Sequence, residues 1–428
     1  MNAEARSPWT IEGPAGVTTF LTMAYIVIVN PAILASPGTG MSFPAVLTAT
    51  VVLAASMTLL MGFYADLPFG VAPGMGLNAF FAFSIVLGQK VPWQTALGMV
   101  FWAGVLFTAV SLTPLRVQVA RAIPENLRTG AAAGIGVFLT FIGLKNMGLI
   151  VADPATFVRM GTLDAKAVVA FVSLALTVAL MRRKSPFAFL AGMALATAVA
   201  LAAGWVKAPE RWLSMPDFSA FGALDIKGAL APSLAPAVIS ILFTDLFDSI
   251  STFVGVSKAS GLVDEKGEPR RLKEGLVVDA FATLGAGIAG TSSGTAYIES
   301  AAGIEAGGRS GRTAIVTGLC FLPCLFLAPV AALVPACATG PVLVLVGALM
   351  FRSVRHLKLE LLEDVIPAFL TIVLIPLTFS ITQGLLWGFI AHAALHALVG
   401  RAKELPWPSW ALAALSLGLL ALEHGAWK

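Results

Sequence analysis

Charge is the scarcest property of this chain. Only 12% of its 428 residues are Asp, Glu, Lys or Arg, about half of the roughly 25% found in a soluble domain. Hydrophobic residues make up 58% of the sequence and mean hydropathy is +0.89. An apolar excess spread over the whole length cannot be gathered into one core, so lipid must solvate most of it. Cysteine is nearly absent. Cys320, Cys324 and Cys337 all fall in or beside one apolar stretch, where small apolar packing is the ordinary role; neither a disulfide framework nor a thiolate metal site follows. Histidine is rare too. His392 and His396 are spaced for one helix face, but no nearby carboxylate in the sequence completes a metal site, so no metal and no cofactor is expected. The net charge of +4 comes without a basic stripe interleaved with aromatics, which argues against nucleic acid as a partner. Residues Ala306 to Thr313 faintly resemble a phosphate-binding loop, yet have Ala at its first position, Arg for its Lys and an apolar segment in place of the strand. No assembled nucleophile set is visible, so an enzyme is not expected. The polar N-terminus, with Glu4, Arg6 and Glu12, lacks the order of a signal peptide, and the first apolar segment is expected to stay in the mature protein.

Long apolar stretches are abundant instead. A helix needs about 20 residues to cross the hydrocarbon. In chain order, segments 1 to 14 are Pro14–Ala35, Pro44–Tyr64, Gly74–Gly88, Thr95–Thr113, Thr129–Leu144, Ala165–Met181, Pro186–Trp205, Pro236–Val256, Gly275–Gly290, Gly294–Gly307, Thr313–Val334, Pro341–Met350, Leu362–Ser380 and Thr382–Val399. Segments 3 and 10 are short and Gly-interrupted. A last stretch, Trp410–Leu422, is too short for a crossing and is expected to be an interfacial or packed helix. With fourteen passes, most Lys and Arg fall on one side, among them Arg116, Arg121, Arg128, Arg182, Arg183, Lys184, Lys258, Lys266, Arg270, Arg271, Lys273, Arg352, Arg355 and Lys358. That side is expected to be cytoplasmic, with both termini on it. Dropping either short segment would scramble this pattern.

The two short segments are each third in a set of seven. An odd set makes the second half enter from the opposite face, an inverted repeat. Short or broken helices at matching places in such halves point to a midplane substrate site. Sliding the chain by about 218 positions sets Val27 and Asn30 opposite Asp245 and Asp248, a weak match by itself.

Acidic residues within the apolar segments cluster near that site. Asp245 and Asp248 lie one turn apart on segment 8; Glu299 is in the middle of segment 10 and Glu305 near its end. An Asp at a helix centre costs about 2.5–3.5 kcal/mol on insertion scales, so it persists only beside a cavity, a partner or a substrate. The plainer reading is that Asp245 or Asp248 bonds Ser or Thr neighbours and holds helices together. Glu305, close to the basic loop, suits a structural role. Segments 3 and 10 open with Gly, Pro and small hydroxyl residues that favour extended backbone. Asn78 offers donors and an acceptor there, while Phe80, Phe81 and Tyr297 offer flat faces that serve core or site equally well.

Four motifs together, Gly16–Pro31, Ala72–Phe80, Asp245–Asp248 and Tyr297–Glu305, resemble the nucleobase–cation symporter-2 family, and more narrowly its purine branch of adenine, guanine and hypoxanthine permeases. The resemblance runs from about Gly13 to Val399. It implies an all-α polytopic membrane fold of 14 transmembrane segments in a 7+7 inverted repeat, with short strands preceding half-helices in segments 3 and 10. It further implies a core, substrate domain (14–113 and 236–334, segments 1–4 and 8–11) and a gate domain (129–205 and 341–399, segments 5–7 and 12–14), with a tail (400–428) carrying the short apolar helix. Carried over by motif, Glu299 grips the base with Ser300 beside it, Asp245 is the segment-8 acid and Asn78 the segment-3 amide; Tyr297 and Phe80 complete the substrate-binding set. Ser249-Ile250-Ser251 departs from the branch's usual sequence.

These readings lead to a secondary transporter importing purine nucleobases through the cell inner membrane, by a rocking or elevator-type cycle. Its partners are a purine, a coupling proton bound at Asp245 or Asp248, the bilayer, and a second copy in a homodimer. A xanthine or uracil carrier would differ only in pocket detail. An anion transporter is disfavoured by the acidic centre, and a channel would conduct without counterflow.

Overall fold

The computed structural model describes residues 8–113, 124–264 and 269–423. Arg116, Arg121, Lys266, Glu4, Arg6 and residues 424–428 of the tail lie outside the described residues. Among the described residues, a helix occupies each of the fourteen predicted places, and eight helical spans are long and apolar enough to cross a membrane by length and composition. The chain is a mostly helical, polytopic membrane protein.

Local chemistry sets the helix ends. Segment 8 spans Ala235–Ser260, opens on Pro236 where a missing N–H costs nothing, and stops at Gly261 in the left-handed conformation. The Asp164 carboxylate accepts the Ala167 N–H at 2.8 Å and caps segment 6. Segment 1 forms one 26-residue span, Trp9–Leu34, interrupted at Ala24 and Tyr25, where Val27 and Ile28 bond only three residues back. That slip turns Tyr25 toward segment 10.

Two short strands form where extended backbone was predicted. β1 (Val71–Pro73) precedes the segment-3 helix, and the strand of segment 10 (Gly294–Ala296, here β4) precedes a helix of only six residues, Ser300–Glu305. They pair antiparallel, Val71 with Ala296, Ala72 with Thr295 and Pro73 with Gly294. Gly74 N–H to Ser293 O (2.8 Å) and Tyr297 N–H to Gly70 O (2.9 Å) extend the pairing at both ends. Backbone groups freed from helix are thus satisfied inside protein, as hydrocarbon demands.

One feature departs from the all-α expectation. Between segments 5 and 6, β2 (Ile150–Asp153) and β3 (Phe157–Met160) form an exposed hairpin. The Asp153 carboxylate takes the N–H groups of Thr156 and Ala155 at its turn, which holds its pKa below the usual value. Segment 12 begins earlier than predicted, at Ala336, with Pro341 inside the helix. Trp407–Glu423 is a 17-residue helix packed on segment 14 and the start of segment 8, with Leu419 and Leu420 buried against Leu386.

The densest helix contacts fall within two bundles, which also touch one another. In the first, segment 1 lies on segments 2 and 11, and segment 9 lies on 2 and 4. In the second, segment 5 lies on 12, 13 and 14, while 6 and 7 pair and touch 12. Segments 5 and 12 approach so closely that glycine is required. A Cβ on Gly136 would sit 2.5 Å from the Gly347 carbonyl oxygen, and one on Gly347 would sit 2.3 Å from that of Gly136. Small residues let membrane helices gain dispersion contacts where apolar burial offers little driving force.

Candidate functional site

The β1–β4 crossing carries the candidate site, and segments 1, 8 and 9 surround it. Asp245 projects from segment 8 and is fully buried. Its Oδ2 accepts from Ser293 Oγ at 2.6 Å and from the Thr283 hydroxyl. Thr283 and Ser293 lie 2.8 Å apart, so three side chains from segments 8, 9 and the approach to β4 form one knot. The other oxygen, Oδ1, is buried without a hydrogen-bond partner among the described residues. Asp245 therefore holds helices together through one oxygen, as the plainer reading expected, and keeps the second unspent.

Asp248, one turn on from Asp245, is only half-buried. Glu299 precedes the six-residue helix, is also half-buried, and accepts the Tyr25 hydroxyl at Oε1 over 2.7 Å. The Tyr25 ring packs against Phe189 of segment 7, with centroids 4.7 Å apart. Glu299 is thus linked through a single tyrosine to the second bundle. Phe80 is buried in the segment-3 helix, which approaches segment 5 so closely that a Cβ on Gly76 would lie 2.4 Å from Ile135.

The remaining predicted residues engage the crossing itself. Asn78 is fully buried; its carbonyl oxygen accepts from the Ser292 hydroxyl, and its amide nitrogen has a weak contact with Met75 Sδ at 3.9 Å. The Tyr297 hydroxyl donates to Pro73 O at 2.5 Å. Ser300 Oγ accepts from the Gly70 N–H at 3.0 Å. Ser249, where the sequence departs from the purine branch, lies 3.1 Å from Thr295 in β4 and so contributes to the same crossing. Glu305 is exposed and pairs with Lys184 at 2.9 Å.

Sequence reasoning missed three acids. Asp279 of segment 9 is fully buried, accepts the Ala296 N–H at 3.2 Å and leaves Oδ1 unpartnered. Its position inside the apolar run Gly275–Phe281 was the available signal. Glu12, also fully buried, accepts from Ser310 and Thr313 hydroxyls and the Arg309 N–H, while Asp66 takes the Gly311 N–H at 2.9 Å. These carboxylates occupy the helix start that resembled a phosphate loop.

A correction concerns the histidines. The sequence showed no nearby carboxylate, but Asp364 at the start of segment 13 reaches both: its Oδ1 lies 3.8 Å from His392 Nδ1 and 3.8 Å from His396 Nε2. Tertiary pairing of segments 13 and 14 brings together residues 28 and 32 positions apart, which local spacing does not reveal.

Residues 12–386 match the model of a family described as the Permease family. An adenine permease of Escherichia coli is 39% identical over 91% of this chain and 88% of its own length. A guanine/hypoxanthine permease of Bacillus subtilis is 38% identical over 91% and 92%. Among solved structures, the transmembrane domain of a cyanobacterial bicarbonate transporter superposes with a TM-score of 0.65 at 17% identity, covering 89% of this chain and 97% of that one. At that identity the likeness speaks to the fold alone, and the fold is that of the 7+7 inverted-repeat transporters.

Proposed function

Because this chain belongs to the nucleobase–cation symporter-2 family of permeases, we propose that it imports purine nucleobases (adenine, guanine and hypoxanthine) by proton symport. The observation that carries the reading is Glu299: a half-buried carboxylate beside a strand crossing, held by Tyr25, on the side of the crossing that meets the second bundle. The relatives that transport adenine or guanine and hypoxanthine lend it the cargo.

A neutral purine presents ring and exocyclic N–H donors and a flat face. An ionised carboxylate only accepts, so Glu299 takes paired N–H groups of the base. Tyr25, Phe189 and Phe80 supply aromatic surface around it. Asn78, Tyr297 and Ser300 act from behind by fixing the β1–β4 crossing. Asp245 or Asp248 takes the coupled proton. A charged carboxylate is costly away from water unless paired, and protonation removes that cost before the closed site changes sides. Asp248 is the half-buried one of the two, while Asp245 retains an unspent oxygen.

In this reading, the first bundle with the crossing is the core, substrate domain and the second is the gate. Their relative displacement, rocking or elevator-like, exposes the site alternately. All fourteen segments cross the inner membrane, with both termini cytoplasmic. Acidic groups at the centre favour a base over an anion, although an anion transporter shares the fold.

Uptake of radiolabelled adenine and hypoxanthine, in cells lacking their own purine carriers, tests the proposal. Each purine should compete with the label, uracil and xanthine should compete poorly, and a protonophore should abolish accumulation. Accumulation that follows a sodium gradient at fixed pH would overturn proton coupling; preferential competition by uracil or xanthine would overturn the purine assignment.

A further inference from the structure

We propose that Asp364, His392 and His396 form a binding site for one divalent transition-metal ion, clipping the start of segment 13 to the end of segment 14. The site is independent of the purine pocket. One ligand atom from each residue lies within 4.8 Å of the others. Both histidines are 5% exposed, whereas the Asp364 side chain is 27% exposed, so the ion has an approach from solvent.

The arrangement is selective in three respects. His392 and His396 occupy i and i+4 of one helix, which points both rings to one side; their centroids are 4.3 Å apart. The His396 ring is oriented by the main chain of its own helix: Nδ1 lies 2.9 Å from the His392 carbonyl oxygen. An N–H at Nδ1 leaves Nε2 with its lone pair toward Asp364, the outer hydrogen bond that metal-ligating histidines commonly make. Finally, the 3.8 Å separations from Asp364 Oδ1 are close to those of a tetrahedral site. Bonds of about 2.0 Å place neighbouring ligand atoms about 3.3 Å apart, so small side-chain rotations close the set, with water in the remaining position.

Two imidazoles and a carboxylate suit Zn²⁺, Co²⁺, Ni²⁺ or Cu²⁺ rather than Mg²⁺ or Ca²⁺. Glu363 is engaged elsewhere, with Arg401 at 2.5 Å, and Arg401 also holds Glu404. The neighbouring guanidinium is therefore neutralised by its own pair of acids.

The probe is Co²⁺ or Zn²⁺ alone, added to the full-length protein after removal of any affinity tag. Near-stoichiometric binding by calorimetry, with visible Co²⁺ absorption displaced by Zn²⁺, is the expected result. His396→Gln and Asp364→Asn should each weaken binding by about tenfold or more, while His356→Ala, outside the cluster, should not. Thermal unfolding without metal establishes that each variant is folded. His392→Ala serves as an additional variant if it passes that check. No saturable binding by the folded wild-type chain, or binding retained in folded His396→Gln and Asp364→Asn, would overturn the site. Either result leaves the purine assignment untouched, because uptake is measured separately.

Discussion

Two pairs of acids flank the strand crossing, and they are treated differently. Asp245 and Asp279 are sealed: neither is exposed, and each spends one oxygen on the crossing or its approach, through Ser293 and Thr283 for Asp245 and the Ala296 N–H for Asp279. Asp248 and Glu299 are half-buried, and the Glu299 carboxylate accepts a tyrosine hydroxyl. A buried carboxylate is thus not in itself a cargo ligand. The sealed pair secures the architecture that presents the more accessible pair.

This contrast can be broken by substitution. Glu299→Gln should give the largest functional loss, an increase in the apparent KM for adenine of about 10- to 100-fold, the worth of a hydrogen bond to a charged group. The melting temperature should stay near that of the wild type; a variant that melts early would place Glu299 with the sealed acids. Asp245→Leu should lower stability, in addition to any loss of proton coupling through that carboxyl. Ser293 and Thr283 would lose their common acceptor, at about 1–3 kcal/mol for each hydroxyl left unsatisfied. Asp245→Asn, which keeps an acceptor, should melt closer to wild type, and equal melting of the two variants would contradict the anchoring role. Tyr25→Phe should have the smallest effect. Loss of one hydroxyl bond of about 0.5–1.5 kcal/mol weakens apparent affinity by roughly two- to tenfold, measured as KM in the same uptake assay, and an unchanged value would remove Tyr25 from the site.

Much of the fold was legible because membranes impose length and polarity on each segment. The positions of segments 3 and 10 followed from their glycines, and the extended starts from Val71-Ala-Pro and Gly294-Thr-Ala. The hairpin Ile150–Met160 escaped because its short strands are exposed on both faces, leaving no alternation of apolar and polar residues to read. Glu299 and Asp245 were found as isolated charges in apolar runs. Asp279 carries the same signal within segment 9, where no motif draws attention to it. Tyr25 was invisible as a partner of Glu299, since the two are 274 residues apart and meet only through the break in segment 1. Asp364 was hidden for the same reason.

The antiparallel register of β1 and β4 has a consequence for how cargo preference can change. Three main-chain amides of the crossing are already committed, Gly74 to Ser293, Tyr297 to Gly70, and Gly70 to Ser300. Those three amides cannot read a bound molecule, which leaves more of its discrimination to side chains. Evolution can then retune selectivity one substitution at a time without rebuilding the platform beneath it, which offers a physical route by which a shared scaffold can come to serve chemically unrelated solutes.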